Sequence, residues 1–187
     1  VNVHGSLDGD ASNDPSGIQI GTSTDVSITR SEFQQLARGI LVGSSANVTI
    51  ANNHIHHVRT DGMNLAGDVN VKITENLLSD FSPGPVDHPD AIQFWTSGTT
   101  VIPTDILIRG NVILRGDGSN AQGIFMGDES LGLKPFTRLT ISDNLIVGTG
   151  WSALRVFGGK DVTITGNELV SLPGDTLRTW MSVQVSD

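Results

Sequence analysis

Apolar and polar residues alternate along this chain in short bursts, and the bursts recur at near-constant intervals. Seven segments read small, apolar, variable, apolar: Gly17-Ile18-Gln19-Ile20, Gly39-Ile40-Leu41-Val42, Gly62-Met63-Asn64-Leu65, Ala91-Ile92-Gln93-Phe94, Gly123-Ile124-Phe125-Met126, Ala153-Leu154-Arg155-Val156 and Ser182-Val183-Gln184-Val185. Their starts lie 22, 23, 29, 32, 30 and 29 residues apart. A second set interleaves with them, from Val26-Ser27-Ile28-Thr29 through Val48-Thr49-Ile50-Ala51 to Val162-Thr163-Ile164-Thr165. Period-two alternation predicts strands, and a fixed repeat of strands predicts a solenoid with one such pair per turn. The apolar stretches are short, β-branched and broken by glycine, so helix is disfavoured; only residues 32–38 have the composition for a helical turn.

Two residues past each segment of the second set stands one polar position: Ser31, Asn53, Asn76, Asn111, Asn144 and Asn167. A stacked Asn amide can donate to one turn and accept from the next, which predicts an internal ladder. A third apolar column follows at Ile55, Leu78, Ile113, Ile146 and Leu169. The reading is all-β: a right-handed parallel β-helix of about six to seven turns, three strands per turn, with turns about 4.8 Å apart.

Composition narrows the partners. At 187 residues the chain makes one domain, with a stacked column for a core. A net charge of −9 argues against a phosphate-binding face, so nucleic acid is not the expected partner. There is no Cys, hence no disulfide framework and no thiolate metal site. No apolar run approaches the ~20 residues of a membrane span. Neither end carries a capping signal, so a neighbouring domain or a trimer is expected to cover the open ends.

The later turns are lengthened by insertions at residues 79–89, 95–105, 114–120 and 127–138, around the first strand set. Loops on a rigid scaffold commonly carry chemistry, so the outer face of that sheet is the expected functional face. Its outward column is Gln19, Leu41, Asn64, Gln93, Phe125, Arg155 and Gln184. Just before each strand stand Ser16, Arg38, Asp61, Asp90, Gln122 and Ser152, which makes Asp61 and Asp90 neighbours on adjacent rungs. Two carboxylates that close raise one pKa or hold a cation, so Asp61, Asp87 and Asp90 are candidate Ca²⁺ ligands. In the bland alternative they cap turns, which Asp61-Gly62 suits. Asp87-His88-Pro89-Asp90 adds an imidazole, the usual proton-transfer group near neutral pH, unless Pro89 merely fixes a turn. Arg115 and Arg155 are the cation candidates for an anionic sugar. Trp95, Phe125, Trp151 and Phe157 offer stacking faces or corner packing. Asn64, Gln93 and Gln122 supply hydrogen bonds. His54-Ile55-His56-His57 lies on another sheet with no third ligand evident in the sequence, and reads as surface histidines.

With Gly-Ile-x-Val and Val-x-Ile-x-x-Asn repeating throughout, the chain resembles the pectate-lyase-like superfamily of right-handed parallel β-helices. That superfamily includes polysaccharide lyases, hydrolases, mannuronan C5-epimerases, phage tailspikes and adhesins. Asp87-His88-Pro89-Asp90 has the residue types of the epimerase motif in another order, and no Tyr accompanies it. The resemblance implies a secreted, extracellular or virion-surface protein acting on a uronate-containing polysaccharide by lyase or epimerase chemistry. His88, Asp61, Asp90 and Arg155 would be catalytic, with Asn64, Gln93, Trp95, Arg115, Phe125 and Gln122 binding substrate. The rival is a non-catalytic glycan-binding or structural β-helix of a phage tail or adhesin.

Overall fold

The computed structural model describes residues 1–130 and 133–185 of the chain. Among the described residues there are nineteen strands, and every pairing among them is parallel. They stack into three ladders, so each turn of the coil contributes up to three strands. Sheet 1 holds Ile18–Gly21, Ile40–Gly43, Met63–Ala66, Asp90–Trp95, Gln122–Gly127, the first part of Leu154–Thr165, and Met181–Val185. Sheet 2 holds Thr24–Thr29, Ala46–Ala51, Val69–Thr74, Thr104–Arg109, Phe136–Ser142 and the rest of Leu154–Thr165. Sheet 3 holds Asn2–His4, Glu32–Gln34, His54–His56, Leu77–Ser79, Val112–Leu114, Leu145–Val147 and Glu168–Val170.

The predicted register is found. Ile18, Ile40, Met63, Ile92, Ile124 and Leu154 stack inward in sheet 1. Phe33, Ile55, Leu78, Ile113, Ile146 and Leu169 stack in sheet 3. These columns meet in one continuous core. The small residue that starts each sheet 1 strand has a steric cause. A Cβ on Gly39 would come within 2.3 Å of the Gly62 carbonyl oxygen, and one on Gly62 within 2.7 Å of that of Ala91.

The Asn ladder is internal. Asn53, Asn76, Asn111 and Asn144 are buried, and each Oδ1 accepts the backbone N–H of the preceding ladder residue at 2.9–3.0 Å. Each Nδ2 donates to a carbonyl of the turn before, such as Asn111 to Ile73 at 3.0 Å. The residue before each ladder position takes a left-handed conformation, as at Arg30, Asn52, Glu75 and Gly110, which turns the chain from sheet 2 into sheet 3. A shorter second ladder runs at the corner of sheets 1 and 2. Asp68 accepts the Ser45 N–H at 2.7 Å, and Ser45 Oγ accepts that of Ser23 at 3.2 Å.

Two expectations are corrected. Residues 32–38 do not form a helical turn: Glu32–Gln34 is a strand of sheet 3, because Phe33 joins the buried column and tertiary pairing overrides local propensity. The last rung is slipped by two residues, with Ser182 rather than Gln184 opposite Arg155 and an irregularity between Phe157 and Gly159.

The long connections lie on both flanks of sheet 1 and stack in pairs. On one flank the Ser119 N–H donates to the Phe81 carbonyl at 2.8 Å, and the Asp117 N–H to Asp80 at 2.7 Å. On the other, Thr96 Oγ donates to Asp128 at 2.8 Å and Lys134 Nζ donates to the Thr99 carbonyl. Residues 131 and 132 of that second flank lie outside the described residues. The outer face of sheet 1 therefore has a wall on each side.

Candidate functional site

The outward column of sheet 1 runs Gln19, Leu41, Asn64, Gln93, Phe125, Arg155 in register, each residue flanked by inward-facing apolar neighbours. Asn64 Nδ2 donates to Gln93 Oε1 at 2.5 Å. The Arg155 guanidinium lies over the Phe125 ring, 5.5 Å from its centroid. It forms no ion pair among the described residues. Trp95 ends its strand opposite Ala66 and Gly127, and is 38% exposed. It borders a shallow groove over the earlier rungs, floored by Gln19, Leu41 and Asn64.

At the edge of this face stands the second predicted column. Asp61 and Asp90 occupy adjacent rungs, and the Asp90 N–H donates to Asp61 Oδ1 at 3.2 Å. Asp61 Oδ2 accepts from Asn64 Nδ2 at 2.9 Å and lies 3.9 Å from Arg38 Nε. Burial raises the Asp61 pKa, against the lowering effects of Asn64, the Asp90 N–H, Arg38 and His88. Asp90 has no exposed surface, and neither of its carboxylate oxygens has a protein partner. Burial, and then the charge of Asp61, push its pKa to about 8. At neutral pH it holds a proton.

Above Asp90 in the column sits Gln122, also buried. Its amide oxygen accepts from Ser152 Oγ, and its Nε2 approaches the His88 ring nitrogens at 3.1–3.2 Å. The His88 ring packs at 4.7 Å from that of Trp151. His88 itself is exposed. A cleft of about 280 Å³ adjoins these groups, lined by Pro89, Ala121, Gln122, Trp151 and Leu177 among others.

Two predicted residues bond elsewhere than to the Asp61–Asp90 pair, although Asp87 lines the same cleft. Asp87 turns to Arg59, which donates to it at 2.6 Å and 3.3 Å, and it accepts the Gly84 N–H at 2.7 Å. The Arg59 bond holds its pKa low. Arg115 leaves sheet 3 at a corner and pairs with Asp175 at 2.7 Å and Asn120 at 3.1 Å. Asp61, Asp87 and Asp90 thus do not converge. Ca²⁺ takes 6–8 oxygen ligands, and Asp61 beside Arg38 together with a fully buried Asp90 does not supply that set. Conversely, Arg38 stands in the mouth column and was readable there, but only the folded chain brings its head group to Asp61.

On sheet 3, His54 and His56 share a face, with ring centroids 4.1 Å apart. The third group that the sequence did not reveal is Glu32, on the rung below and 3.2 Å from His56 Nε2. Reading residues 32–38 as helical concealed it.

The family model described as right handed beta helix region matches residues 11–171. No curated protein matches the chain. Among solved structures, the chain is similar to the catalytic unit of a thermostable GH87 alpha-1,3-glucanase from Streptomyces thermodiastaticus strain HF3-3. Identity is 13%, the TM-score 0.32, and the match covers 89% of this chain but 49% of that one. Among the described residues no helix is long and apolar enough to cross a membrane. A family match over most of the length, joined to three parallel ladders and an internal Asn stack, places this chain in the right-handed β-helix family.

Proposed function

We propose that this protein is a carbohydrate-active β-helix that takes a uronate-containing polysaccharide along the outer face of sheet 1 and acts on it by lyase or C5-epimerase chemistry. The observation that carries the reading is the Asp61–Asp90 pair on adjacent rungs, with Arg38 beside it and His88 above. A buried carboxyl whose two oxygens have no partner costs stability, and capping alone does not account for it.

The roles divide by position. Arg38, with a half-exposed side chain, neutralises the uronate carboxylate. His88 takes the C5 proton and becomes imidazolium. The electron pair spreads into the carboxylate as an enediolate, stabilised by Arg38. In the lyase case the pair forms the C4–C5 double bond, the C4–O bond breaks, and the His88 imidazolium protonates the leaving oxygen. In the epimerase case Asp61 has to enter as the acid, the form that its burial favours, and it delivers that proton to the opposite face of C5. Arg155 stands three rungs from Asn64, roughly 14 Å at ordinary strand spacing, so it serves a neighbouring sugar rather than the reacting one. Asn64, Gln93, Trp95 and Phe125 supply the hydrogen bonds and ring faces between. A polymeric substrate of this kind implies an extracellular or virion-surface location.

The test is a panel of uronate polymers, read by ultraviolet absorbance for unsaturated products and by NMR for inverted C5. His88→Ala is expected to lower turnover at least about a hundredfold with the circular dichroism spectrum unchanged. Wild-type rates in that variant would remove His88 from the mechanism. The complete burial of Asp90, and the bonds already made by Asp61, favour a second reading, a glycan-binding module without turnover. Binding of a polymer by the wild type with no product from any member of the panel would establish that reading instead.

A further inference from the structure

Sheet 3 faces away from the proposed polysaccharide groove, and it carries a separate cluster of donor atoms. Glu32 comes from one turn of the coil and His54 and His56 from the next, with Glu32 directly opposite His54 in the ladder. One ligand atom from each lies within 4.8 Å of the other two. His54 and His56 flank the buried Ile55, so the strand period alone puts both imidazoles on the outer face. Glu32 Oε1 and His56 Nε2 are already 3.2 Å apart, close to the separation of two ligands on one tetrahedral ion. The His56 side chain is 12% exposed, which limits the ways its ring can turn.

A second contact orients the ring. His56 Nδ1 lies 2.7 Å from His57 Nδ1. With the proton on His56 Nδ1 and His57 accepting it, the His56 Nε2 lone pair points toward Glu32. Metal-binding histidines are commonly fixed in this way through their second nitrogen. His57 can hold that position because it takes a left-handed conformation, with φ of 53°.

We propose that Glu32, His54 and His56 form a site for a borderline divalent ion of the zinc class. Two imidazoles and one carboxylate are the donor set that zinc, cobalt and nickel prefer over calcium or magnesium. Three protein ligands leave one position for water or an outside group. Because the ligands come from successive turns, the ion clamps the second rung of sheet 3 to the third. Bound metal therefore stabilises this end of the coil, by linkage to the folded state.

The metal-free chain, titrated with zinc chloride by calorimetry, is expected to show one site of micromolar affinity or better. His54→Ala and His56→Ala each weaken it more than about tenfold, as ligand and orienting losses do elsewhere. Glu32→Gln weakens it less, and His4→Gln, on another rung, leaves it unchanged. Cobalt in place of zinc is expected to give the visible band of a four-coordinate ion. Zinc at a hundredfold excess over its dissociation constant raises the melting temperature by about 5 °C. Should the variants fail to fold, ¹⁵N imidazole spectra of the wild type decide the matter: zinc shifts His54 and His56 and leaves His4 and His88 in place. Absence of binding below about 100 µM, or binding that survives the loss of both His54 and His56, overturns the proposal.

Discussion

Asn111 ties three turns together with one side chain. Its Oδ1 accepts from the Asn76 backbone and side chain, while its Nδ2 reaches Asn144 Oδ1 and the Ile73 carbonyl. Asn111→Ala leaves these buried groups without partners and is expected to cost about 3 kcal/mol in urea unfolding, since each orphaned buried group costs about 1–3 kcal/mol. A cost below about 0.5 kcal/mol would show that water replaces the amide. At Arg38 the expectation is catalytic rather than structural. The side chain is half-exposed, so Arg38→Gln should leave stability within about 0.5 kcal/mol. Activity on uronate polymers should fall at least tenfold, and the loss should shrink on methyl-esterified polymers, which have no carboxylate to neutralise. An equal loss on both would assign Arg38 to general binding.

At the scale of the element, the paired rungs Asp61 and Asp90 couple the site to pH. In the unfolded chain Asp90 ionises near pH 4, and in the folded chain at about 8. Between those values the folded chain keeps a proton that the unfolded chain has released. This group therefore lowers stability progressively as pH rises from about 4 to about 8, and adds nothing further above that window. Asp61 acts in the same direction, because its pKa is also raised. Asp90→Asn removes the titration but keeps the shape. The variant should gain on the wild type by on the order of 3 kcal/mol between pH 5 and pH 8, measured by denaturant melts at each pH. Parallel stability curves for the two proteins would place the Asp90 pKa in the ordinary carboxylate range.

Across the whole molecule, each turn touches only its neighbours, so protection should follow position along the coil. The sheet 1 strand Met181–Val185 and the sheet 3 strand Asn2–His4 are largely exposed, whereas Val71, Ile73, Ile108 and Ile124 are fully or almost fully buried. Hydrogen exchange is expected to be slowest at the backbone amides of Asn76, Ile108, Asn111 and Ile124 and fastest in the terminal strands. Uniform exchange across all turns would mean that the coil opens only as one unit.

The repeat was legible because backbone pairing imposes it. Parallel strands must stack in register, so the period-two segments, the small residue under each close approach and the Asn ladder all show in the sequence as fixed spacings. That spacing also sufficed to put Asp61 beneath Asp90 and to order Asn64, Gln93, Phe125 and Arg155 in one column. What the spacing could not contain is where side chains turn at the corners, where the chain leaves the strand period. Asp87 adjoins His88 in sequence but bonds Arg59, 28 residues away, and Arg115 bonds Asp175, 60 residues away. The sealing of Asp90 beside Gln122, the approach of Arg38 to Asp61 and the addition of Glu32 to two histidines are likewise contacts between successive turns. Sequence spacing determined which residues stack in one column, the slipped last rung apart; only the packed coil decided which charges meet, because that depends on the reach and rotamer of each side chain across the gap.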